Sequence, residues 1–464
     1  MVTGALGGRR RFVMKGNAVV HQGKRSASSL GPAQLLAVGG MLFSMFFGAG
    51  NLILPPLLGL QAAAQAPAAL AGFLVAGIGL PVLAIVAVAL AGDARALASR
   101  VNPHFAAAFI ALVYLTIGPF LAIPRTSSTA YAMIQPLVPP LDGATSGLVA
   151  VAFSIAFFAC AFALSLKPSM LSKVLGRVSG PALIALIVLV VAGAAVDPQS
   201  LADVGAPVAP YDQNAAAQGF LNGYQTMDLL AGLCFGIVVA VSVRDLGVSK
   251  PAHVAGAISA AGVIAGLLMM LVYCGLGFVG MSAGNIAAGA TNGAEVLSAS
   301  AGAHFGPAGT VIVAAIFLIA CLNVCTGLVS CCAEYFSNNV GKLPRWAWSA
   351  AFAAFSCAVS LLGLDTILAF SAPLLGVLYP PAIVLVTMGL FHRLFDRMPK
   401  TWPWAVLVTC AVGAVAAARD AFAPGMQLPI DALPLASIGL EWVVPALVAL
   451  AVGVFHSALA KGKR

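Results

Sequence analysis

Two stretches of this sequence place groups that can bind a small zwitterion or a cation inside long apolar segments. In the first, residues 43–56 (FSMFFGAGNLILPP) interrupt an apolar run with two glycines, an asparagine and a pair of prolines. Glycine and proline weaken a helix and leave backbone groups without partners. In a membrane span such groups are tolerated only where protein or a water-lined cavity covers them. The pattern indicates either a binding site lined by backbone groups or a kinked helix that packs through its glycines.

The second stretch, residues 219–236 (GFLNGYQTMDLLAGLCFG), contains four glycines, several polar groups and a carboxylate. Ionisable groups within membrane spans are rare and usually functional. Asp228 is therefore a candidate binding residue, and a buried structural hydrogen bond is the alternative. Arg125 is expected to snorkel or to line an outer vestibule, and Glu334 is open between a function and an interfacial position.

The composition of the chain indicates which kind of protein contains these two stretches. The chain has 464 residues, of which 61% are hydrophobic and 8% are charged, whereas soluble domains carry about 25% charged residues. We therefore predict an all-α, polytopic integral membrane protein. The net charge of +9 does not indicate nucleic-acid binding, because the basic residues lie in short loops and tails. The nine cysteines fall in apolar segments and are expected to be free thiols.

Twelve apolar segments follow one another along the chain and predict twelve transmembrane helices. They cover residues 33–58, 68–91, 105–134, 147–166, 181–196, 219–243, 252–281, 308–337, 347–364, 366–391, 403–419 and 436–457. With the N-terminus inside, 21 of the 23 Lys and Arg lie on the inner side, and only Arg125 and Arg419 lie outside. This split predicts that both termini are cytoplasmic.

The two interrupted segments are the first and the sixth, so they occupy matching places in two five-helix halves. Because five is odd, the second half must run inverted, and paired interruptions of this kind indicate a transporter's binding site. The predicted organisation is a basic cytoplasmic tail at 1–30, a ten-helix transport core at 31–400, and two accessory helices with a basic tail at 401–464. An organelle transit peptide is the alternative for the first 30 residues.

Enzyme motifs occur only out of context. Residues 280–284 match G-x-S-x-G but follow a membrane helix rather than a strand, and residues 275–280 match G-x-G-x-x-G without a βαβ unit. A polytopic membrane enzyme, the remote alternative, would need catalytic groups clustered at one interface, and the sequence offers none. A polar turn in the eighth segment, with Asn323 and Thr326, could bind a cation or hydrogen-bond to neighbouring helices.

Four motifs in order resemble a known family. They are FGAGNLILPP with GLQ shortly after it, GPFLAIPRT, GYQTMD and CAEYF, which begin at residues 47, 118, 223 and 332. The pattern resembles the branched-chain amino acid:cation symporters, the LIV-II carriers of the BrnQ type in the APC superfamily. The resemblance implies a carrier of the bacterial plasma (inner) membrane that imports leucine, isoleucine and valine with a cation. It also implies a LeuT-type core of five plus five inverted helices.

The resemblance implies roles for residues at the two breaks. The amides of Ala49 and Gly50 would meet the substrate carboxylate, and the sixth-helix break would face the ammonium group and the side chain. The implied substrate-binding residues are Phe47, Gly48, Ala49, Gly50, Asn51, Tyr224, Thr226, Met227 and Asp228. The implied Na⁺ ligands are Phe46, Asn51 and Thr226 at a first position, and Ser44, Phe47, Asn323 and Thr326 at a second. Val324 stands where relatives tend to carry threonine, which counts against the second position.

No cofactor is expected apart from the coupling ion, and Na⁺ is expected to act through the first position. A proton-coupled carrier, or a carrier of another small neutral amino acid, is the alternative. The expected partners are the small-molecule substrate and the lipid bilayer, with no nucleic acid and no obligate protein partner.

Overall fold

Helices form all the regular secondary structure of the residues that the computed structural model describes, which are 29–138, 143–167, 171, 173–196, 204–423 and 426–462. The all-α prediction is confirmed for this part of the chain. The basic tail predicted at 1–30 lies outside the described residues, except for its last two positions. Nine described helices are long and apolar enough to cross a membrane, and ten if one bent pair counts as a single span. The chain is therefore a multi-pass membrane protein.

Among the described residues, nine α-helices longer than one turn lie before residue 200 and nine lie after it. The earlier ones are α1 (Pro32–Phe46), α2 (Ala49–Ala62), α3 (Ala66–Leu74), α4 (Leu80–Ala91), α5 (Ala94–Ser99), α6 (Pro103–Leu115), α7 (Ala122–Ile134), α8 (Gly143–Ser165) and α9 (Gly180–Ala195). The later ones are α10 (Tyr211–Tyr224), α11 (Asp228–Asp245), α12 (Pro251–Ser282), α13 (Gly293–Phe305), α14 (Pro307–Asn339), α15 (Arg345–Ser360), α16 (Leu364–Leu390), α17 (Thr401–Phe422) and α18 (Val443–Gly462).

The first predicted interruption is a real break between α1 and α2. The chain leaves helical geometry at Phe47 (φ −77°, ψ 92°) and at Gly48 (φ −125°, ψ −158°). Both prolines of the motif, Pro55 and Pro56, lie inside α2 rather than at the break. Their missing N–H groups free two carbonyls of the preceding turn without ending the helix. The break is therefore made by the glycine-rich residues and not by the prolines.

The second predicted interruption separates α10 from α11, which meet at an angle of 42°. Met227 sits between them with φ +66°, a left-handed conformation that is unusual for a residue with a side chain. Such strain persists only where the surrounding structure holds it and is often found at functional sites. Asp228 then begins α11.

Close backbone contacts hold the broken helices in place. A Cβ atom added to Gly219 on α10 would overlap the Ala69 carbonyl oxygen of α3, and one added to Gly280 on α12 would overlap the Pro56 carbonyl oxygen of α2. Only glycine permits helices to approach so closely. The two breaks are thus fixed against neighbouring helices.

The segment 282–307, which connects two of the predicted spans, contains the helix α13. Asn292 caps it, because its side-chain oxygen accepts hydrogen bonds from the N–H groups of Ala294 and Glu295, both at 3.1 Å. Asparagine followed three residues later by glutamate is a helix-start signal. This helix was not predicted, because its cap signal lies outside the apolar segments.

Candidate functional site

The two helix breaks enclose a small cavity, which we call the central cavity. Its volume is about 20 Å³, roughly the space of one water molecule. Its wall combines polar groups at the breaks with apolar side chains of neighbouring helices. The lining residues are Met45, Phe46, Gly48, Ala49, Asn51, Ile117, Ala122, Arg125, Thr126, Thr226, Met227, Asp228, Ala231, Phe235, Val324 and Leu328.

Asn51 joins the first break to the second. Its side-chain oxygen accepts the Gly48 N–H at 3.1 Å, and its Nδ2 donates to Asp228 Oδ2 at 2.5 Å and to the Tyr273 hydroxyl. The Tyr273 hydroxyl in turn donates to Asp228 Oδ2 at 3.3 Å. The Asp228 side chain is buried. One hydrogen-bonded network therefore links α2, α11 and α12 at the break.

Thr226 fixes the start of α11. Its hydroxyl donates to the Gly223 carbonyl at 2.9 Å and accepts the Asp228 N–H at 3.3 Å. The carboxylate of Asp228 lies in the first turn of α11, where the positive end of a helix dipole favours negative charge. The break thus presents a buried carboxylate to the central cavity.

Most residues predicted to bind substrate meet in this place. Six of the nine line the central cavity: Gly48, Ala49, Asn51, Thr226, Met227 and Asp228. Gly50 lies beside the guanidinium of Arg125. Phe47 packs on Phe43 and Tyr273, with ring centroids 5.2 and 6.0 Å apart. Tyr224 lies farther out and packs on Tyr379 at 4.5 Å.

Arg125 was expected to snorkel or to line an outer vestibule, but it lies inside the protein. Its side chain is 6% exposed and lines the central cavity. The chain before it turns at Gly118, where an added Cβ would lie 2.7 Å from Cys332 Sγ on α14. This close approach directs one face of α7 inward, and the sequence pattern alone did not identify which face.

The residues expected at the second cation position lie around residues 175–179. The Ser44 hydroxyl donates to the Leu175 carbonyl at 2.9 Å, and the Ser179 hydroxyl donates to Asn323 Oδ1 at 2.9 Å. Thr326 donates to the Leu322 carbonyl of its own helix at 2.7 Å. These side-chain oxygens, like those of Asn51 and Thr226 at the first position, have hydrogen-bond partners within the protein.

Val324 brings methyl groups to the first break. A Cβ atom added to Gly48 would lie 2.8 Å from Val324 Cγ2. The side chain therefore packs on the break where a threonine would offer a hydroxyl, and the low affinity expected of the second cation position stays a prediction.

Two larger cavities are lined in part by the helices of the second break. One, of about 380 Å³, is lined in part by α11, and the other, of about 460 Å³, in part by the end of α10. The rings of Phe46 and Phe235, 5.0 Å apart, line the central cavity. The rings of Tyr224 and Tyr379 lie 4.5 Å apart and are tilted by 30°.

Tyr273 is, after Arg125, a second site residue that the sequence did not identify. It lies in the middle of α12, where an apolar run gives no sign of its direction. Its hydroxyl was the available signal, because a phenol inside a span needs a buried partner. Asp228, at the start of α11, was a candidate for that partner.

A buried polar site at paired helix breaks is typical of a membrane transporter. The family model described as "Branched-chain amino acid transport protein" matches residues 32–460. The chain belongs to this family. It is a transporter and not an enzyme.

Named relatives match over nearly the whole chain. "Branched-chain amino acid permease BraB" of Bacillus subtilis is 36% identical over 434 residues, which cover 92% of this chain and 96% of the relative. "Branched-chain amino acid permease BrnQ" of Corynebacterium glutamicum is 38% identical over 419 residues, which cover 89% and 93%.

Two solved structures show the same fold at low identity. Mhp1, a nucleobase-cation-symport-1 family transporter in a closed conformation with bromovinylhydantoin bound, has a TM-score of 0.57 and 16% identity, covering 90% of this chain and 91% of its own. MhsT in complex with L-phenylalanine has a TM-score of 0.54 and 14% identity, covering 93% and 98%. Both have the LeuT fold.

Proposed function

We propose that this protein is a secondary active transporter that imports leucine, isoleucine and valine across the bacterial plasma membrane in symport with Na⁺. The observation that carries the proposal is the central cavity, where the start of α2 and the carboxylate of Asp228 face one space. Backbone amides at a helix N-terminus suit a carboxylate, and a buried carboxylate suits an ammonium group. The permease relatives support the branched-chain substrate class.

The lining of the central cavity supports an aliphatic side chain. Met45, Ile117, Phe235, Val324 and Leu328 surround the polar groups. Pockets of this kind combine an apolar lining with a few placed polar groups. A volume of about 20 Å³ holds no leucine, so binding requires these side chains or the broken helices to move apart. We propose this movement as the opening step of alternating access.

We further propose twelve spans with five-plus-five inverted topology and cytoplasmic termini. In this arrangement α1 with α2, and α10 with α11, each form one broken span. Two features support twelve spans rather than nine or ten. The stretch Ala49–Ala91 counts as one apolar helix but is 43 residues long, enough for more than one crossing. The helix α15 is not among the nine, but its 16 residues come close to the length of a span. The transport core is then 31–400, with accessory helices α17 and α18.

For the coupling ion we propose the first position, formed by the Phe46 carbonyl, Asn51 and Thr226. Asp228 is hydrogen-bonded to both Asn51 and Thr226. These contacts support the set of ligands, because they place a carboxylate next to it. Carbonyls freed by a broken helix suit Na⁺, which prefers oxygen ligands. The second position, at Ser44, Phe47, Asn323 and Thr326, is then weak or absent.

A Na⁺ gradient is expected to drive leucine accumulation by purified protein in liposomes. Asn51→Ala should raise the Na⁺ concentration for half-maximal uptake by about tenfold or more, the effect of losing roughly 1.4 kcal/mol of ion binding. Thr326→Ala, a matched truncation at the second position, should raise it less than about threefold. The measurement is initial uptake of radiolabelled leucine over a series of Na⁺ concentrations.

Proton coupling is the second candidate, and one observation favours it. Asp228 is buried and hydrogen-bonded to Asn51 and Tyr273, and none of the ion pairs among the described residues involves it. A carboxylate in such surroundings can carry a proton. Accumulation that follows a proton gradient and ignores Na⁺ would overturn the Na⁺ proposal and make Asp228 the proposed proton site.

A further inference from the structure

Arg125 is a buried cation that the ligand sets above leave unused. A guanidinium has five N–H donors, and in the described part of the chain the guanidinium of Arg125 makes one hydrogen bond, from Nη1 to the Gln225 carbonyl at 3.4 Å. This distance exceeds the usual range. The carboxylate of Asp228 lines the same cavity and interacts electrostatically with Arg125, but the ion pairs among the described residues do not include Arg125. Because a charge without a direct ion pair inside a membrane protein is costly, such an arginine indicates an anionic partner.

The guanidinium lies over the start of α2. Nη2 is 2.8 Å from the position that a Cβ atom on Gly50 would take. The first hydrogen bond of α2 runs from the Leu52 N–H to the Gly48 carbonyl at 3.1 Å, so the amides of the first turn lack acceptors within the helix. A helix N-terminus attracts anions. Two independent features, the amides and the buried arginine, therefore favour an anion in one place.

The remaining charge of the central cavity fits the other end of an amino acid. Asp228 Oδ2 accepts hydrogen bonds from Asn51 and Tyr273 and is held on the α12 side. A guanidinium offers paired donors that match the two oxygens of a carboxylate. We propose that Arg125 binds the carboxylate of the transported amino acid, together with the amides at the start of α2. This inference rests on the proposed function.

This assignment determines which molecules the site accepts. The substrate supplies the direct ion pair that the guanidinium lacks, so an analogue with a neutral group in place of the carboxylate leaves the guanidinium without one. Such analogues are rejected strongly, because sites built around a polar pair discriminate against ligands that cannot complete it. Leucine and L-leucinamide differ in this group and share the ammonium group and the side chain.

The test compares these two ligands on purified protein. Leucine affinity, measured by calorimetry at constant Na⁺, should fall about 100-fold in Arg125→Gln, as expected for losing one partner of a buried charge pair. L-Leucinamide affinity, measured by competition or directly up to tens of millimolar, should change less than about threefold. Arg125→Lys keeps the charge and should keep a preference for leucine over the amide. Arg177→Gln removes an exposed arginine and should leave both affinities unchanged.

The outcomes separate the possible errors. A leucine affinity in Arg125→Gln within about threefold of wild type, or an equal loss for both ligands, would overturn the assignment. An equal loss would also result if Arg125 held an inorganic anion or only supported the fold. If Arg125→Gln is not recovered as folded protein, the comparison rests on Arg125→Lys, which must then bind leucine more weakly while still preferring it to the amide. Wild-type protein that binds no leucine at all would instead refute the proposed function.

Discussion

Replacement of Gly50 by leucine is expected to abolish leucine uptake while the protein still reaches the membrane. A Cβ atom at this position would lie 2.8 Å from Arg125 Nη2 and 3.4 Å from the Gln225 carbonyl oxygen. The rest of a leucine side chain would displace the guanidinium and fill the space where a carboxylate approaches α2. Leucine also favours continuous helix over glycine by roughly 0.8 kcal/mol, which works against the break.

The matched control is Gly256→Leu on α12. Gly256 is exposed and an added Cβ would meet nothing within 4 Å, so this variant should transport normally. Uptake of radiolabelled leucine in cells that lack other leucine carriers, normalised to the amount of protein in the membrane, compares the two. Wild-type uptake by Gly50→Leu would reduce Gly50 to a packing residue and move the binding site elsewhere.

Asp228→Asn is expected to lower transport efficiency, the maximal rate divided by the apparent KM, by about 100-fold or more. The amide preserves the shape of the side chain and can still accept hydrogen bonds from Asn51 and Tyr273. It removes the negative charge that, in the proposed site, faces the substrate ammonium or the coupling cation. The loss should therefore fall chiefly on the apparent affinity for leucine or Na⁺ and less on the amount of folded protein.

Asp212→Asn is the control for this substitution, because Asp212 is an exposed carboxylate on α10. It should leave uptake kinetics unchanged. Kinetic measurements at varied leucine and then at varied Na⁺ show which affinity Asp228→Asn alters. Wild-type values for both affinities and for the rate would leave Asp228 with only a structural hydrogen bond.

The helix breaks could be predicted from sequence because they depend on local chemistry. Glycines at 48 and 50 and a mid-span Asp228 are visible as exceptions in apolar runs, and the structure has both breaks where they were expected. The role of the prolines was less clear from the sequence. Pro55 and Pro56 free the carbonyls of Asn51 and Leu52 within α2, and the latter two residues are buried, which depends on tertiary packing.

The direction of side chains could not be predicted in the same way. Arg125 lies in the first turn of α7, and the sequence did not reveal that its guanidinium reaches Gly50 on another helix. Tyr273 lies 45 residues from Asp228 along the chain. An isolated aromatic residue in an apolar run does not show which residue it contacts. Both cases depend on which helices pack together, which a local pattern does not contain.

The most direct test of the proposed function is counterflow by purified protein in liposomes. Vesicles loaded with unlabelled leucine are diluted into a trace of radiolabelled leucine, with equal Na⁺ on both sides and no membrane potential. A carrier for branched-chain amino acids should accumulate label transiently above equilibrium, and external isoleucine or valine should suppress the overshoot. Equilibration without an overshoot, or no leucine movement at all, would contradict the proposal.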